Sequence, residues 1–426
     1  MKISFRPLKL VLPLLLVFFL DQAFWEFFFD VDNASVLKPY EWGVLGAGVG
    51  AALWYGRRLE PAVGRGLLLT GAALLGLLLE SYATHGTWLV YMHVFSKVLV
   101  LFLIYGICGC YRQQGLPPLG LLVGVLFGAL LLNLAAVHPE ALSLRAFLDH
   151  ERGFAASSAL LLVLPALLCL NWYLERGRLL ALGVFFVALG LIVFLQHRSV
   201  WLAMLVGLLV NLGVVARRVP SARLSLHRVA LLVLLPVAVG AVGGLATVLG
   251  NPDVIKKFET SINDIVKPDK RGTGNWRLRQ QEAYRPLVAE RPLLGWRLKG
   301  FEVPMQFYDP TSDQPMWADG TGHHFHSFYM DRLFYFGWAG LLLVVVLPIA
   351  QIIRRLGHPA PLTAEAAALV GLFSGCLVYG LSYDWPIYLY ALVGLLLAAI
   401  TRPAPPAEAP LVVPRPEPES EPVFAN

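Results

Sequence analysis

The longest polar stretch of the chain closes on His323-His324-Phe325-His326-Ser327-Phe328-Tyr329, with Asp331 and Arg332 directly after it. Imidazole is the side chain whose ordinary pKa lets it take up and return a proton near neutrality. One histidine held at a helix start, beside positive charge, suits a general base acting on a hydroxyl. The HHxH spacing also raises zinc, but the ligand spacings that tetrahedral sites need are missing. Upstream stand Arg277, Arg279, Arg285, Arg291 and Arg297. Guanidinium meets phosphate oxygens in a two-pronged geometry, so these arginines could hold a phosphate-bearing lipid. The plainer alternative is a solvated basic loop lying on anionic headgroups. Both readings stand on the residues alone.

Two further patterns carry potential chemistry. Gln196-His197-Arg198-Ser199-Val200-Trp201 forms a very tight turn between apolar runs. Arg198 has almost no loop to escape into, so it either snorkels to the interface or is used as a cation. Asp30-Val31-Asp32 is a DxD, the spacing by which many glycosyltransferases hold a divalent metal. Such short acidic motifs arise often by chance in polar loops.

The elements that position these residues follow from composition. Hydrophobic residues make up 57% of the 426 residues and charged residues 15%, against about 25% charged in a soluble domain. That excludes a soluble globular protein and a disordered one. The net charge of +6 is spread in short clusters between apolar runs, not on one solvated face as nucleic-acid binding requires. The chain reads as an all-α integral membrane protein, since only internally bonded helices satisfy the backbone in lipid at these segment lengths.

Twelve apolar segments qualify as spans, near 9–29, 41–56, 64–84, 88–110, 117–137, 154–175, 179–196, 199–216, 227–250, 327–353, 363–383 and 385–401. The first imitates a signal peptide, but no small-x-small cleavage site follows it, so it reads as an uncleaved span. Cys108, Cys110, Cys169 and Cys376 lie inside apolar runs and offer no disulfide framework. Arginines cluster in alternate loops, at 57–65, 112, 176–178, 217–228 and 354–355. Positive-inside bias puts those loops and both termini in the cytoplasm.

The chain thus divides into spans one to nine (1–250), an outer polar loop (251–326), spans ten to twelve (327–401) and a Pro- and Glu-rich tail (402–426) predicted to be disordered. The loop carries eleven Lys or Arg, which long translocated loops tolerate. A loop of that length is usually functional. Within it, 275–290 reads as an amphipathic helix with Trp276, Ala283, Leu287 and Val288 near one face and the arginines on its other sides. Pro286 is expected to kink or divide it. Glu80, His93 and Lys97 lie inside apolar spans and must face the bundle interior or water. Glu80 and Lys97 are expected to pair.

The order of these motifs resembles the O-antigen ligase family. It is carried by Arg198-Ser-x-Trp201, by Arg277 fifteen residues before Pro292-Leu293-Leu294-Gly295, by His326-Ser-Phe-Tyr, and by the glycine-bearing helix Phe336-Gly337-Trp338-Ala339-Gly340. The motifs cover about a third of the chain. The family often has Asn where Ser327 stands and glycine where Arg297 stands. The resemblance implies a GT-C-like bundle of about twelve spans in the bacterial inner membrane, with the large loop in the periplasm. It implies transfer of O-antigen glycan from undecaprenyl diphosphate to lipid A-core oligosaccharide, inverting at the anomeric carbon and without a metal or other cofactor. His326 becomes the catalytic base, and Arg198 and Arg277 the contacts to the donor's pyrophosphate. Arg279, Arg285 and Arg297 are added on local charge, and Tyr329 as a possible substrate contact. Three alternatives remain: an O-antigen polymerase using the same donor, a protein-glycosylating ligase, and a lipid or glycan transporter. Transporters place their sites near the midplane, often on repeated halves, whereas the polar investment here lies in one outer loop.

Overall fold

In the computed structural model, residues 6–29, 35–143, 154–222, 273–307 and 323–401 are described, with isolated positions between 228 and 263. Every regular element among them is helical: α1 Arg6–Phe18, α2 Leu37–Tyr55, α3 Pro61–His85, α4 Met92–Gln114, α5 Leu119–Ala136, α6 Ala156–Arg176, α7 Leu179–Phe194, α8 Arg198–Arg218, α9 Thr273–Glu290, α10 Phe328–Gly357, α11 Ala364–Tyr379 and α12 Ile387–Thr401. Six of these, α3 to α6, α8 and α10, are long and apolar enough to cross a bilayer, and α1, α7, α11 and α12 are shorter apolar helices. Helices overlie eleven of the twelve expected segments. The Asp30-Val31-Asp32 motif, the 402–426 tail and most of the ninth segment lie outside the described residues.

The bundle is drawn together where small residues let helix backbones approach, the usual device when lipid supplies no hydrophobic drive between helices. A Cβ on Gly375 of α11 would lie 2.4 Å from the Ala203 carbonyl of α8, and one on Gly371 would lie 2.6 Å from the Gly207 carbonyl. Ascending numbers on one helix meet descending numbers on the other, so α8 and α11 are antiparallel. Asn171 of α6 and Asn211 of α8 exchange amide hydrogen bonds of 2.8 Å beneath this seam. On the other side, Gly394 of α12 packs on the Ile104 carbonyl of α4, and Gly106 of α4 on α2.

A second, smaller core lies at the end of the bundle that carries the polar loop. It gathers Leu77 of α3, Val94, Phe95 and Val98 of α4, Tyr284 of α9, and Leu298, Phe325, Phe334 and Tyr335. This cluster fastens the polar loop to the bundle. The α9 helix continues past Pro286 instead of dividing there. Glu282, whose carbonyl loses its donor to the proline, is exposed, so water can satisfy that oxygen.

The joint between the loop and α10 is made backbone to backbone. Gly337 inside α10 has φ 58° and ψ −154°, which breaks the helix ladder. The freed donors turn to the loop: Trp338 N–H donates to the Pro292 carbonyl at 2.8 Å and Ala339 N–H to the Leu293 carbonyl at 3.1 Å. In return Trp296 N–H donates to the Phe334 carbonyl at 2.8 Å. Gly295 has φ 62°, and a Cβ there would lie 2.5 Å from the Phe336 nitrogen. A Cβ on Gly337 would lie 2.4 Å from the Pro292 carbonyl oxygen. Both glycines are required, by conformation and by space.

Candidate active site

The site is held by three turns. The first joins α7 to α8, where the Trp201 indole donates to the Ile192 carbonyl at 2.8 Å and staples the turn shut. His197 is buried, with Nε2 2.7 Å from the Phe154 carbonyl. These contacts put Arg198 at the first residue of α8. The second turn, 380–386, follows α11. Because α8 and α11 are antiparallel with Ala203 opposite Gly375, Arg198 stands roughly 7 Å above that level at 1.5 Å per residue. That is the end where residues 379–383 leave α11.

The third turn is the His326 segment. Phe328 N–H is shared between the carbonyls of Gly380 at 3.0 Å and Tyr383 at 3.2 Å. Ser327 Oγ donates to the same Gly380 carbonyl at 3.2 Å. The half-buried His326 ring then meets Tyr383 edge-on at 6.3 Å. From the loop, the Arg277 guanidinium lies over the Tyr383 ring, 4.6 Å from its centre. Arg277, Tyr383 and His326 therefore form one cluster, with Arg198 arriving at the same end on α8.

Burial chiefly, and the positive charge of Arg277 secondarily, push the His326 imidazole down to about 4. It is neutral at neutral pH and able to accept a proton. Burial also lowers His323, but its role differs. His323 Nε2 is 2.9 Å from the Val303 carbonyl and Nδ1 is 2.6 Å from the Tyr284 hydroxyl. Its backbone N–H donates to the Tyr335 hydroxyl at 3.0 Å. His324 stacks near His93, ring centres 5.8 Å apart. The three histidines thus face three different neighbours, and only His326 turns to Tyr383 and Arg277.

The α9 arginines separate by face. Arg277, Gln280 and Tyr284 share the inner face, with Gln280 donating to the His324 carbonyl at 2.9 Å. Arg277 was expected on an outer side, so its place is a correction: the helix buries polar anchors inward, where apolar periodicity could not register them. Arg279 and Arg285 are exposed. Arg291 stacks on Trp296, 4.2 Å from its ring centre. The Tyr329 hydroxyl donates to the Leu377 carbonyl at 2.8 Å and ties α10 to α11. Glu80 does not pair with Lys97. It accepts from Arg297 Nε at 2.7 Å, while Lys97 bonds Asp331 at 2.5 Å. Both partners come from the loop–α10 unit, which no reading of the first four spans could supply.

Tyr383 is the residue of this cluster that motif reasoning missed. Its signal was present: Tyr383-Asp384-Trp385-Pro386 is a polar and aromatic insertion between two apolar spans.

The fold and site define a polytopic helical membrane protein with a basic and imidazole cluster at one end of its bundle. A family model described as O-Antigen ligase (Wzy_C) matches residues 183–345, so over that segment the chain is similar to the O-antigen ligase family. The match runs from α7 to α10 and includes Arg198, Arg277, the 292–295 turn, His326 and Gly337; Tyr383 lies beyond it. No curated protein is significantly similar to the chain. The family supports ligase- or polymerase-type glycan transfer between lipid substrates in general.

Proposed function

We propose that this protein is an O-antigen ligase of the bacterial inner membrane. It transfers glycan from undecaprenyl diphosphate to a sugar hydroxyl of lipid A-core oligosaccharide on the periplasmic side. The observation that carries the reading is the convergence of Arg277 and His326 on Tyr383. In this scheme Arg277 and Arg198 hold the donor's pyrophosphate. Negative charge grows on the departing phosphate oxygen as the glycosidic bond breaks, and preorganised guanidinium groups stabilise it. Losing one such contact costs about 10²–10³ in rate, as for an oxyanion donor.

His326 takes the acceptor hydroxyl's proton as that oxygen attacks the anomeric carbon from the face opposite the diphosphate. The configuration inverts and no covalent glycosyl-enzyme forms. General-base help of this kind is worth about 10²–10⁴-fold. A ring pushed down to about 4 is a weak base in the free protein. Binding of a diphosphate offsets the Arg277 charge and raises the imidazole toward the range in which it works best. Arg279 and Arg285, exposed on α9, are assigned no direct contact, and the scheme uses no metal.

The test is transfer by the purified protein, given undecaprenyl-diphosphate glycan and lipid A-core in EDTA. Glycan on lipid A-core, lost in His326→Ala with donor binding near normal, is the expected result. Longer lipid-linked glycan with lipid A-core untouched would make the protein a polymerase. Activity abolished by EDTA and restored by magnesium would end the metal-free scheme.

A further inference from the structure

A cavity of about 410 Å³ lies between α3, α4 and α10, within the size range of ligand sites, and His326, Arg277, Tyr383 and Arg198 do not line it. Its floor is buried and apolar, with Leu77, Val98, Leu101 and Val344 at or below 5% exposure. Its lips, Leu69, Leu294 and Leu342, are about half exposed, at 53%, 59% and 48%. Its charged end is formed by Glu80, Lys97, Arg297 and Arg332. Along α3 the lining runs from Leu69 to Glu80, roughly 16 Å at 1.5 Å per residue. That is about one leaflet of a 30 Å hydrocarbon core.

The charged end has spare capacity. Lys97 is committed to Asp331, and Arg332 to the Lys97 carbonyl and the Tyr390 hydroxyl. Arg297 gives Nε to Glu80, and its side chain is 30% exposed at the cavity mouth. Its two terminal nitrogens have no acceptor among the described residues, and a guanidinium carries five donors. Arg297 also holds φ 50°, one of two non-glycine residues with positive φ among those described. Strain of this kind persists where surrounding structure enforces it, and it concentrates at ligand clamps.

We infer that this cavity binds a glycerophospholipid of the outer leaflet, with one acyl chain along α3 and α10 and its phosphate on the terminal nitrogens of Arg297. The leaflet-length apolar slot ending at a forked cation matches an acyl chain with a phosphodiester head. An undecaprenyl chain is far longer than one leaflet and would leave most of itself outside. The bound lipid would brace the Glu80–Arg297 and Lys97–Asp331 bridges under the start of α10, where His326 is carried. The inference concerns a site separate from the transfer chemistry and stands whichever glycan is moved.

The experiment uses the full-length protein in nanodiscs containing phosphatidylglycerol with a photoactivatable diazirine on one acyl chain. Irradiation is expected to label peptides within 69–80 and 336–344. Gly76 lines the cavity and a Cβ there meets nothing within 4 Å, as at Gly71 outside it. Gly76→Phe should cut labelling of these peptides by about tenfold or more, while Gly71→Phe leaves it unchanged. Arg297→Gln should cut it about tenfold, the effect of losing a charge-assisted contact. Labelling confined to other helices, or unaffected by Gly76→Phe, would overturn the site. Unchanged labelling in Arg297→Gln would overturn the phosphate assignment. Displacement by undecaprenyl phosphate but not by unlabelled phosphatidylglycerol would overturn the acyl-lipid occupant.

Discussion

His326 illustrates how one side chain's surroundings set its chemistry. An ordinary imidazole titrates near 6.5, and here partial burial and Arg277 bring it to about 4. The folded protein therefore holds the ring neutral across the range in which a free histidine would take up a proton. The acid limb of kcat/KM, which reports the unliganded protein, is expected near pH 4. The limb of kcat should lie higher, because bound diphosphate offsets Arg277. Arg277→Gln removes the like charge, so it should move the kcat/KM limb upward while lowering the rate. A kcat/KM limb at pH 6.5 or above in the unaltered protein would contradict the assignment. Tyr383 can be examined through its ring alone. Tyr383→Phe keeps a face for the guanidinium and should retain donor affinity, whereas Tyr383→Ala should weaken it about 3- to 30-fold, the range of a partly desolvated cation–π contact. At this scale the sequence was legible in position where local pattern decides it: Arg198 opens α8 and His326 stands just before α10, as expected. It was not legible where a role depends on a distant partner. Arg277 was singled out, but its face on α9 was misjudged because its neighbours Gln280 and Tyr284 are polar anchors. Tyr383 enters the site from 57 residues beyond His326 and 106 beyond Arg277.

Among the elements, the decisive one is the joint between the 292–295 turn and α10. The motif letters on either side of it looked like two separate features, yet they are the two halves of one contact. Gly337→Ala would force a Cβ to within 2.4 Å of the Pro292 carbonyl and hold φ at 58°. Overpacking of this order costs about 1–3 kcal/mol, and thermal denaturation in detergent should show the loss. Gly295→Ala should behave alike, and the double variant should cost less than the sum, since either substitution opens the same joint. Helical periodicity and span length gave the elements themselves. They could not give the uninterrupted helix through Pro286, because that depends on Glu282 facing water, nor the Glu80–Arg297 bridge, because that depends on where the loop lands.

For the whole molecule, the arrangement of arginines in alternate loops predicts an orientation that can be read chemically. The four native cysteines are buried, so an introduced one dominates labelling by a membrane-impermeant maleimide. Lys299→Cys, exposed in the loop unit, should react in spheroplasts from outside. Arg57→Cys, exposed in the turn between α2 and α3, should react only after the membrane is opened. The reverse pattern would invert the topology and remove the periplasmic site.

The backbone-to-backbone joint at Gly295 and Gly337 has one further consequence. Its hydrogen bonds join main chain to main chain, so they make no demand on the surrounding side chains beyond the two glycines. The stretch from α9 to the middle of α10 can therefore behave as a cassette: related chains could exchange it whole, acquiring a new recognition surface while inheriting an intact hinge. A graft cut between the two glycines would instead separate the two halves of one contact.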